Sequence, residues 1–298
     1  MKKIFTTAGA CALLGAGFLS GIFVGFYETF PFHQIQYIKN FITRDLDEGN
    51  YDRYGRLVHL PGKKEVECPV QTRRTGVIFA VGQSNIANHG SYRFSEQELS
   101  GVYNWFEGKC FLASSPLLGA TGRDGEWVGL TGKLLIQNGV YDEVIVVENA
   151  VGGSAINRWA PGNDLNEVMV DSLIKLSDEY EVTEVLWHQG ESDAAYGLKE
   201  VYKYTFLKIK ENLRSMGVEA PIYLGVTSLC LNPRVTYPNR ITDAQSELVD
   251  NQEVFLGANS DEIVPRSMRY DGCHFKKEGQ ITMAKEFSRR IESNHKSQ

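Results

Sequence analysis

Short runs of β-branched residues alternate with longer amphipathic stretches along most of this 298-residue chain, and this alternation constrains the fold more than any other feature. Five runs are predicted as strands: Val77–Val81, Glu143–Glu148, Val182–Trp187, Ile222–Thr227 and Val254–Leu256. Four stretches are predicted as helices: Leu165–Tyr180, Lys199–Met216, Thr242–Val249 and Lys277–Ser293. Strands and helices in alternation predict an α/β fold with a parallel sheet that is covered on both faces.

The composition supports one α/β domain rather than two, because 298 residues with 42% hydrophobic content suffice for one sizeable domain of this kind and an appendage. We place this domain at residues 75–298. The net charge is −6 and the chain has no block of Lys or Arg, so nucleic acid is not the expected partner. No glycine-rich phosphate loop of the nucleotide-binding types occurs, and neither a metal nor an organic cofactor is expected.

The first thirty residues differ from the rest of the chain. Lys2 and Lys3 precede Ile4–Phe26, a stretch of 23 residues without a charge, which is long enough to cross a bilayer core of about 30 Å as a helix. We interpret residues 1–30 as an uncleaved signal anchor, with residues 31–74 as a stalk and docking segment. By the positive-inside rule the domain then lies on the extracytoplasmic side, periplasmic or at the cell surface. Secretion after signal cleavage is the alternative.

Small residues recur within that apolar segment. Gly17, Gly21 and Gly25 are four apart and fall on one helix face, where a second helix can approach closely. A homodimer through this face is one hypothesis. Chance spacing in a glycine-rich leader is the other, because glycine is frequent in membrane segments.

Four cysteines lie outside the apolar segment, in a domain whose predicted compartment allows disulfides to persist. They are Cys68, Cys110, Cys230 and Cys273. Four cysteines allow three complete pairings, and the sequence does not choose among them.

Polar, glycine-rich segments follow four of the five predicted strands. They are Ser84 after the first strand, Gly152–Ser154 after the second, Gln189–Asp193 after the third and Asp271–His274 after the last. In open α/β sheets, ligands bind in the crevice at the carboxyl ends of the strands. The sequence therefore predicts that these segments meet at one edge of the sheet.

Ser84 occupies the turn between the first strand and a helix-like stretch. A serine hydroxyl becomes a useful nucleophile when a base takes its proton and backbone N–H groups bind the oxyanion. A strand end that opens into a helix N-terminus offers such donors. We therefore predict Ser84 as a nucleophile.

Asp271 and His274 have the spacing of an orienting carboxylate and a general base. A carboxylate three residues away can hold an imidazole in the tautomer whose free nitrogen faces outward. On its own this spacing is also typical of a helix N-cap beside a surface histidine. Its position after the last strand favours the catalytic interpretation, because the pair can face the end of the first strand.

The two middle segments carry candidate oxyanion donors. Gly152 and Gly153 lack Cβ atoms and can offer unobstructed N–H groups, although an ordinary glycine turn has the same sequence. The side-chain amide of Gln189 is a further candidate. His188 is a rival base, but alternation along the strand sends it to the face opposite Gln189, and a structural role is favoured.

Two further pairs receive weaker predictions. Glu191 either orients groups behind the site or assists the base, or it satisfies backbone donors at a helix start. We take it with Asn85 as a supporting residue. Arg158 and Trp159 are candidate sugar contacts, and packing of the tryptophan under the glycine loop is the alternative.

Together these segments resemble the SGNH/GDSL hydrolase superfamily, and within it the sialate O-acetylesterase-type domain and the related carbohydrate esterase family six. Four motifs carry the resemblance in order: G-Q-S-N at Gly82–Asn85, G-G-S-A-I at Gly152–Ile156 with Trp159, W-x-Q-G-E-x-D at Trp187–Asp193, and D-x-x-H at Asp271–His274. The similarity runs from about Thr75 to the end of the last helix. In the third motif Ser192 stands where the superfamily's G-x-N-D has asparagine, a departure that the esterase subfamily shares.

The resemblance implies a three-layer α/β/α sandwich of flavodoxin-like type. It also implies an acyl-serine mechanism with Ser84 as nucleophile, His274 as base and Asp271 as its partner. The implied oxyanion donors are the N–H of Ser84, the N–H of Gly152 or Gly153, and the Gln189 side chain.

The expected function is removal of O-acetyl groups from carbohydrates, as in sialate O-acetylesterases or acetylxylan esterases, with an O-acetylated glycan as partner. One alternative is acetyl transfer to an envelope glycan by the same site. The other is a catalytically silent glycan-binding scaffold.

Overall fold

The computed structural model describes residues 50–230, 232 and 234–297. The predicted signal anchor at 1–30, its glycine face and the first part of the stalk therefore lie outside the described residues. Within the described ranges, every helix is too short or too polar to span a bilayer.

Ten strands and six α-helices make up the described fold. The strands are β1 (Asn50–Tyr51), β2 (Leu57–His59), β3 (Glu65–Val66), β4 (Thr75–Gly82), β5 (Val102–Phe106), β6 (Lys109–Leu112), β7 (Glu143–Ala150), β8 (Glu184–His188), β9 (Ile222–Val226) and β10 (Val254–Asn259). The helices are α1 (Val128–Gln137), α2 (Asp164–Leu176), α3 (Lys199–Ser215), α4 (Arg240–Leu248), α5 (Ser260–Ile263) and α6 (Lys277–His295).

Eight strands form one sheet in the order β10-β9-β8-β4-β7-β5-β6-β3. The five predicted strands are all present and pair in parallel, in the order β7-β4-β8-β9-β10. After β4 the chain continues to β5 on one side of that strand, whereas after β8 it continues through α3 to β9 on the other side. Such a divergence opens a crevice at the carboxyl ends of the two neighbouring strands.

Helices cover both faces of the sheet, so the predicted α/β fold with a mainly parallel sheet is confirmed. Helices α1 and α6 pack on one face, and α2, α3 and α4 pack on the other. All eight residues of β4 are buried, which explains why this strand reads as a continuous apolar run rather than an alternating one.

Helix α1 and the β5–β6 hairpin are not predicted from the sequence. Gly129 and Gly132 lower the helix propensity of α1, but they let it approach the sheet closely. A Cβ on Gly132 would lie 2.9 Å from Cγ1 of Val144 in β7. Packing against the sheet therefore overrides the weak local preference.

Part of the segment predicted as stalk and docking segment packs on the domain. Strand β3 pairs with β6, and a disulfide joins Cys68 to Cys110 in β6. A second disulfide joins Cys230 to Cys273, so the structure selects one of the three pairings that the sequence left open.

Candidate active site

Ser84 lies directly after β4, in the turn that leaves the sheet. Gly82 is required at the strand end, because its φ is +152° and a Cβ there would lie 2.1 Å from the carbonyl oxygen of His188. The side chain of Ser84 is 6% exposed, and its N–H has no acceptor among the described residues. The predicted nucleophile therefore lies at the carboxyl end of β4 and has a backbone N–H without an acceptor among the described residues.

The segment after Ser84 is a hydrogen-bonded turn, which corrects the expectation of a helix. The N–H of Ala87 bonds to the carbonyl of Ser84 at 3.1 Å, but the chain then straightens. Asn88 forms a bridge with Gly122, and its side chain bonds to the backbone of Leu117 in both directions. These bonds to a neighbouring loop replace the helical ones that the segment would otherwise make.

Asp271 and His274 form a tightly bonded pair on the loop before α6. Oδ1 of Asp271 accepts the N–H of Cys273 at 2.8 Å and the N–H of His274 at 2.7 Å. Its Oδ2 lies 2.6 Å from Nδ1 of His274. Burial would raise the pKa of Asp271, but these bonds outweigh it and hold the pKa below its usual range. The ionised carboxylate therefore keeps the proton on Nδ1 and leaves Nε2 as the basic nitrogen.

Arg269 and a disulfide fix this loop, and sequence reasoning identified neither role. The guanidinium is buried and donates to the carbonyls of Leu229 and Cys273, both at 2.9 Å. It also pairs with the buried Asp261 at 3.4 Å. Cys273, next to His274, is tied to Cys230. The loop that carries the base is thus anchored from two sides.

The glycine turn after β7 lies beside the nucleophile. A Cβ on Gly152 would lie 3.5 Å from the Cβ of Ser84, so the glycine turn lies next to the Ser84 side chain. The N–H of Gly152 donates to Oγ1 of Thr121 at 2.7 Å. Gly153 has a φ of +68°, and its N–H has no acceptor among the described residues. Among the described residues, the N–H of Ser84 and the N–H of Gly153 are thus two backbone donors without an acceptor in these two turns.

The side chain of Gln189 bonds to other residues of the protein. Its side-chain N–H groups donate to the carbonyl of Ser154 at 2.9 Å and to Oδ2 of Asp193 at 2.6 Å, and a third contact reaches Oε1 of Gln83 at 3.3 Å. Both hydrogens of the amide are thereby used within the protein. This corrects the expectation that Gln189 supplies an oxyanion donor.

Asn85 and Glu191 form a buried pair behind the nucleophile. Nδ2 of Asn85 donates to Oε1 of Glu191 at 2.7 Å, and the Asn85 carbonyl accepts from Nε1 of Trp127 at 2.6 Å. Burial would raise the pKa of Glu191, but His188 and Asn85 outweigh it and lower the pKa to about 2. His188 is fully buried, with Nε2 3.6 Å from Oε1 of Glu191, which agrees with a structural rather than a basic role.

Arg158 and Trp159 do not present a sugar-binding surface. Trp159 is fully buried, donates to Oγ of Ser154 at 3.0 Å and packs edge-on against Trp187. It packs under the glycine loop, as the alternative interpretation holds. Arg158 forms a two-bond ion pair with Asp164 at 2.6 and 3.2 Å. We therefore no longer regard these two residues as candidate substrate contacts, because their polar groups already bond to other residues of the protein.

His89 and Thr121 lie beside the candidate catalytic residues. From the sequence, His89 is expected only as part of a helix after Ser84. The ring of His89 stacks on the ring of His274, with centroids 5.2 Å apart. Nε2 of His89 lies 3.2 Å from Oγ1 of Thr121.

Within the described part of the chain, no group of three or more His, Cys, Asp or Glu side chains is arranged to hold a metal ion. A serine hydroxyl, an aspartate–histidine pair and backbone N–H groups without acceptors are the groups that acyl transfer through a serine requires.

Comparison with known proteins identifies a family. Residues 74–293 match the family described as carbohydrate esterase, sialic acid-specific acetylesterase. No protein with a curated function matches the chain significantly.

Solved structures share the fold at low sequence identity. A protein from Arabidopsis thaliana superposes with a TM-score of 0.60 at 19% identity, covering 75% of this chain and 99% of the other. NanS superposes with a TM-score of 0.53 at 12% identity, covering 77% and 100%. A carbohydrate acetylesterase from Xanthomonas citri gives 0.52 at 15% identity, covering 75% of this chain and 57% of its own.

Proposed function

Because the chain belongs to the sialic acid-specific acetylesterase family of carbohydrate esterases, we propose that it removes O-acetyl groups from carbohydrates through an acetyl-Ser84 intermediate. The chain is thus a carboxylic ester hydrolase. The observation that carries the mechanism is the 2.6 Å bond between Oδ2 of Asp271 and Nδ1 of His274. This bond prepares Nε2 to accept a proton at the end of the sheet where Ser84 stands.

In the first half-reaction, Nε2 of His274 takes the hydroxyl proton of Ser84 while Oγ attacks the acetyl carbonyl carbon. The N–H groups of Ser84 and Gly153 bind the oxyanion. The tetrahedral intermediate collapses, the bond to the sugar oxygen breaks, and His274 gives its proton to the leaving hydroxyl.

In the second half-reaction, His274 takes a proton from water, and the resulting hydroxide attacks the acetyl carbon. The bond to Oγ breaks, acetate leaves, and the proton returns from His274 to Ser84. No reductant, oxidant or further reactant is needed, and the enzyme ends as it began.

The first test is hydrolysis of a small aryl acetate by the purified full-length chain. Wild type should release acetate, and Ser84→Ala should lose nearly all turnover while it keeps its thermal unfolding midpoint. Exposed Ser91 provides a matched control, and Ser91→Ala should behave as wild type. Full activity of Ser84→Ala would contradict the assignment of the nucleophile.

A panel of O-acetylated glycans should then identify the substrate, with sialic acids and xylan fragments as the first members. Adding a non-acetylated glycan tests for transfer, because an acceptor that competes with water yields an acetylated sugar in place of acetate. Folded wild type that cleaves neither the aryl ester nor any glycan ester would favour the silent glycan-binding scaffold.

We further propose an extracytoplasmic place of action, with the chain held by its N-terminal segment. Two observations support it: the 23-residue uncharged stretch Ile4–Phe26 and the two disulfides of the described domain. Cell fractionation with the full chain tests this place. Recovery in the membrane fraction is expected, whereas recovery in the medium would indicate a cleaved signal.

A further inference from the structure

The imidazole of His89 lies between His274 and the glycine turn at Gly152. On one side the ring of His89 stacks on the ring of His274, with 5.2 Å between centroids and 21° between planes. On the other side its Nε2 lies 3.2 Å from Oγ1 of Thr121, which accepts the N–H of Gly152 at 2.7 Å. His89 thus contacts the base directly and the glycine turn through a single hydroxyl.

The bond between His89 and Thr121 forms with either tautomer of the ring. Oγ1 of Thr121 accepts the N–H of Gly152 and keeps one proton and one lone pair for a further partner. Burial and the neighbouring His274 lower the pKa of His89 to about 4, which leaves the imidazole neutral near pH 7. A neutral ring bonds to the hydroxyl through Nε2 as the acceptor or as the donor, according to its tautomer. In both cases the Thr121 hydroxyl links the N–H of Gly152 to the ring of His89.

Several contacts hold the His89 ring and backbone in place. The hydroxyl of Tyr270 donates to the His89 carbonyl at 3.1 Å. A Cβ on Gly122 would lie 2.9 Å from Cδ2 of His89, so the ring packs directly on a glycine backbone. The backbone carbonyl of Thr121 accepts the N–H of Asn88, the preceding residue, at 3.0 Å. An imidazole held this firmly can fix the groups that it touches.

We propose that His89 is a positioning residue of the esterase site, which orients the His274 ring by stacking and the Gly152–Gly153 turn through the Thr121 hydroxyl. This inference rests on the proposed function. Removal of the imidazole should misplace the base and the oxyanion donor together. Since both act in the transition state, the loss should appear in kcat rather than in KM.

The experiment compares full-length variants on an aryl acetate. His89→Phe keeps a ring but loses the nitrogen that bonds to Thr121, and Thr121→Val loses the hydroxyl while it keeps the side-chain shape. Each should lower kcat ten- to a hundredfold, with KM changed less than threefold. Thr121→Ser keeps the hydroxyl and should stay within threefold of wild type, as should the control His59→Phe at an exposed position.

The double variant His89→Phe with Thr121→Val separates a shared chain of bonds from two independent effects. If the two residues act through one chain, the double variant is no slower than the slower single variant. Two outcomes overturn the proposal: single variants within twofold of wild type, or a double variant whose loss is the product of the single losses. If His89→Phe does not fold, the contrast between Thr121→Val and Thr121→Ser decides, and equal rates for these two overturn it.

Wild type and Ser84→Ala separate a failure of the proposed function from a failure of the inference about His89. An active wild type with an inactive Ser84→Ala supports the proposed function whatever the His89 variants do. Folded wild type without esterase activity overturns the proposed function, and the inference about His89 fails with it.

Discussion

The side-chain amide of Asn85 donates to the carboxylate of Glu191 across the ends of β4 and β8, at 2.7 Å and with both side chains buried. Asn85 follows the nucleophile, and Glu191 lies in the loop after the neighbouring strand. The bond therefore fixes the nucleophile turn against the adjacent strand end. It also places an ionised group in the interior, because His188 and Asn85 lower the pKa of Glu191 to about 2 against the penalty of burial.

Replacing Glu191 with glutamine should therefore destabilise the protein in a pH-dependent way. The pKa of this carboxyl falls from 4.5 to about 2 on folding, so the unfolded state binds more protons between those values and stability rises with pH across that window. Above pH 5, Glu191→Gln should lose roughly 3 kcal/mol of unfolding free energy relative to wild type. The difference should shrink by about 1.4 kcal/mol per pH unit below pH 4.5.

Urea unfolding between pH 6 and 3.5 measures this difference. Glu219→Gln is the matched control, because Glu219 is exposed, and it should unfold as wild type at every pH. A wild type minus Glu191→Gln difference that does not change with pH would contradict the ionised state of Glu191.

Asp271→Asn should leave the fold intact and lower kcat by about 10⁴-fold, as the loss of an orienting carboxylate does in serine hydrolase triads. Asparagine can keep the backbone bonds of Oδ1, but it cannot hold the proton on Nδ1 of His274. Steady-state kinetics on an aryl acetate measure the loss, and exposed Asp178→Asn is the control. A loss below tenfold would show that another group orients the base.

Gly152→Ala should impair catalysis by crowding the side chains of His89 and Thr121. The added Cβ would lie 3.1 Å from Nε2 of His89 and 3.2 Å from Oγ1 of Thr121, so these side chains or the glycine turn must shift by a few tenths of an ångström. We expect kcat to fall by about tenfold, less than the roughly hundredfold loss that accompanies a displacement of about 1 Å in an active site. The thermal unfolding midpoint should change little, because Gly152 does not have a positive φ. Activity near that of wild type would mean that the turn has more freedom than its contacts indicate.

The sequence predicted the parallel strands of the sheet because they depend on local patterns, and the catalytic roles of the segments that follow them stay predictions. The five parallel strands are apolar runs, and Ser84, Gly152 and the Asp271–His274 pair follow them in positions that parallel topology brings to one edge. Helix α1 was not predicted because its glycines, which allow close packing on the sheet, lower its helix propensity.

The sequence did not predict which groups the individual polar side chains contact. Gln189 looks like an oxyanion donor until Ser154 and Asp193 are seen to use its amide. His89 looks incidental until its ring is seen on His274. Contacts of this kind depend on loops that the sequence pattern does not place, and they decide which polar residue of a motif faces the substrate.

The disulfide between Cys230 and Cys273 should support catalysis, whereas that between Cys68 and Cys110 should support stability alone. The two bonds close chain segments of nearly equal length, with separations of 43 and 42 residues, so chain entropy gives each a stabilisation of roughly 4 kcal/mol. Only Cys273 neighbours the base. Replacing both cysteines of either pair with serine should therefore lower the unfolding free energy by similar amounts, but only the Cys230/Cys273 variant should also lose kcat, by about tenfold or more. Kinetics on an aryl acetate, at a temperature where urea unfolding shows both variants folded, make the comparison. Equal kcat values for the two variants would mean that Arg269 alone suffices to hold the loop of His274.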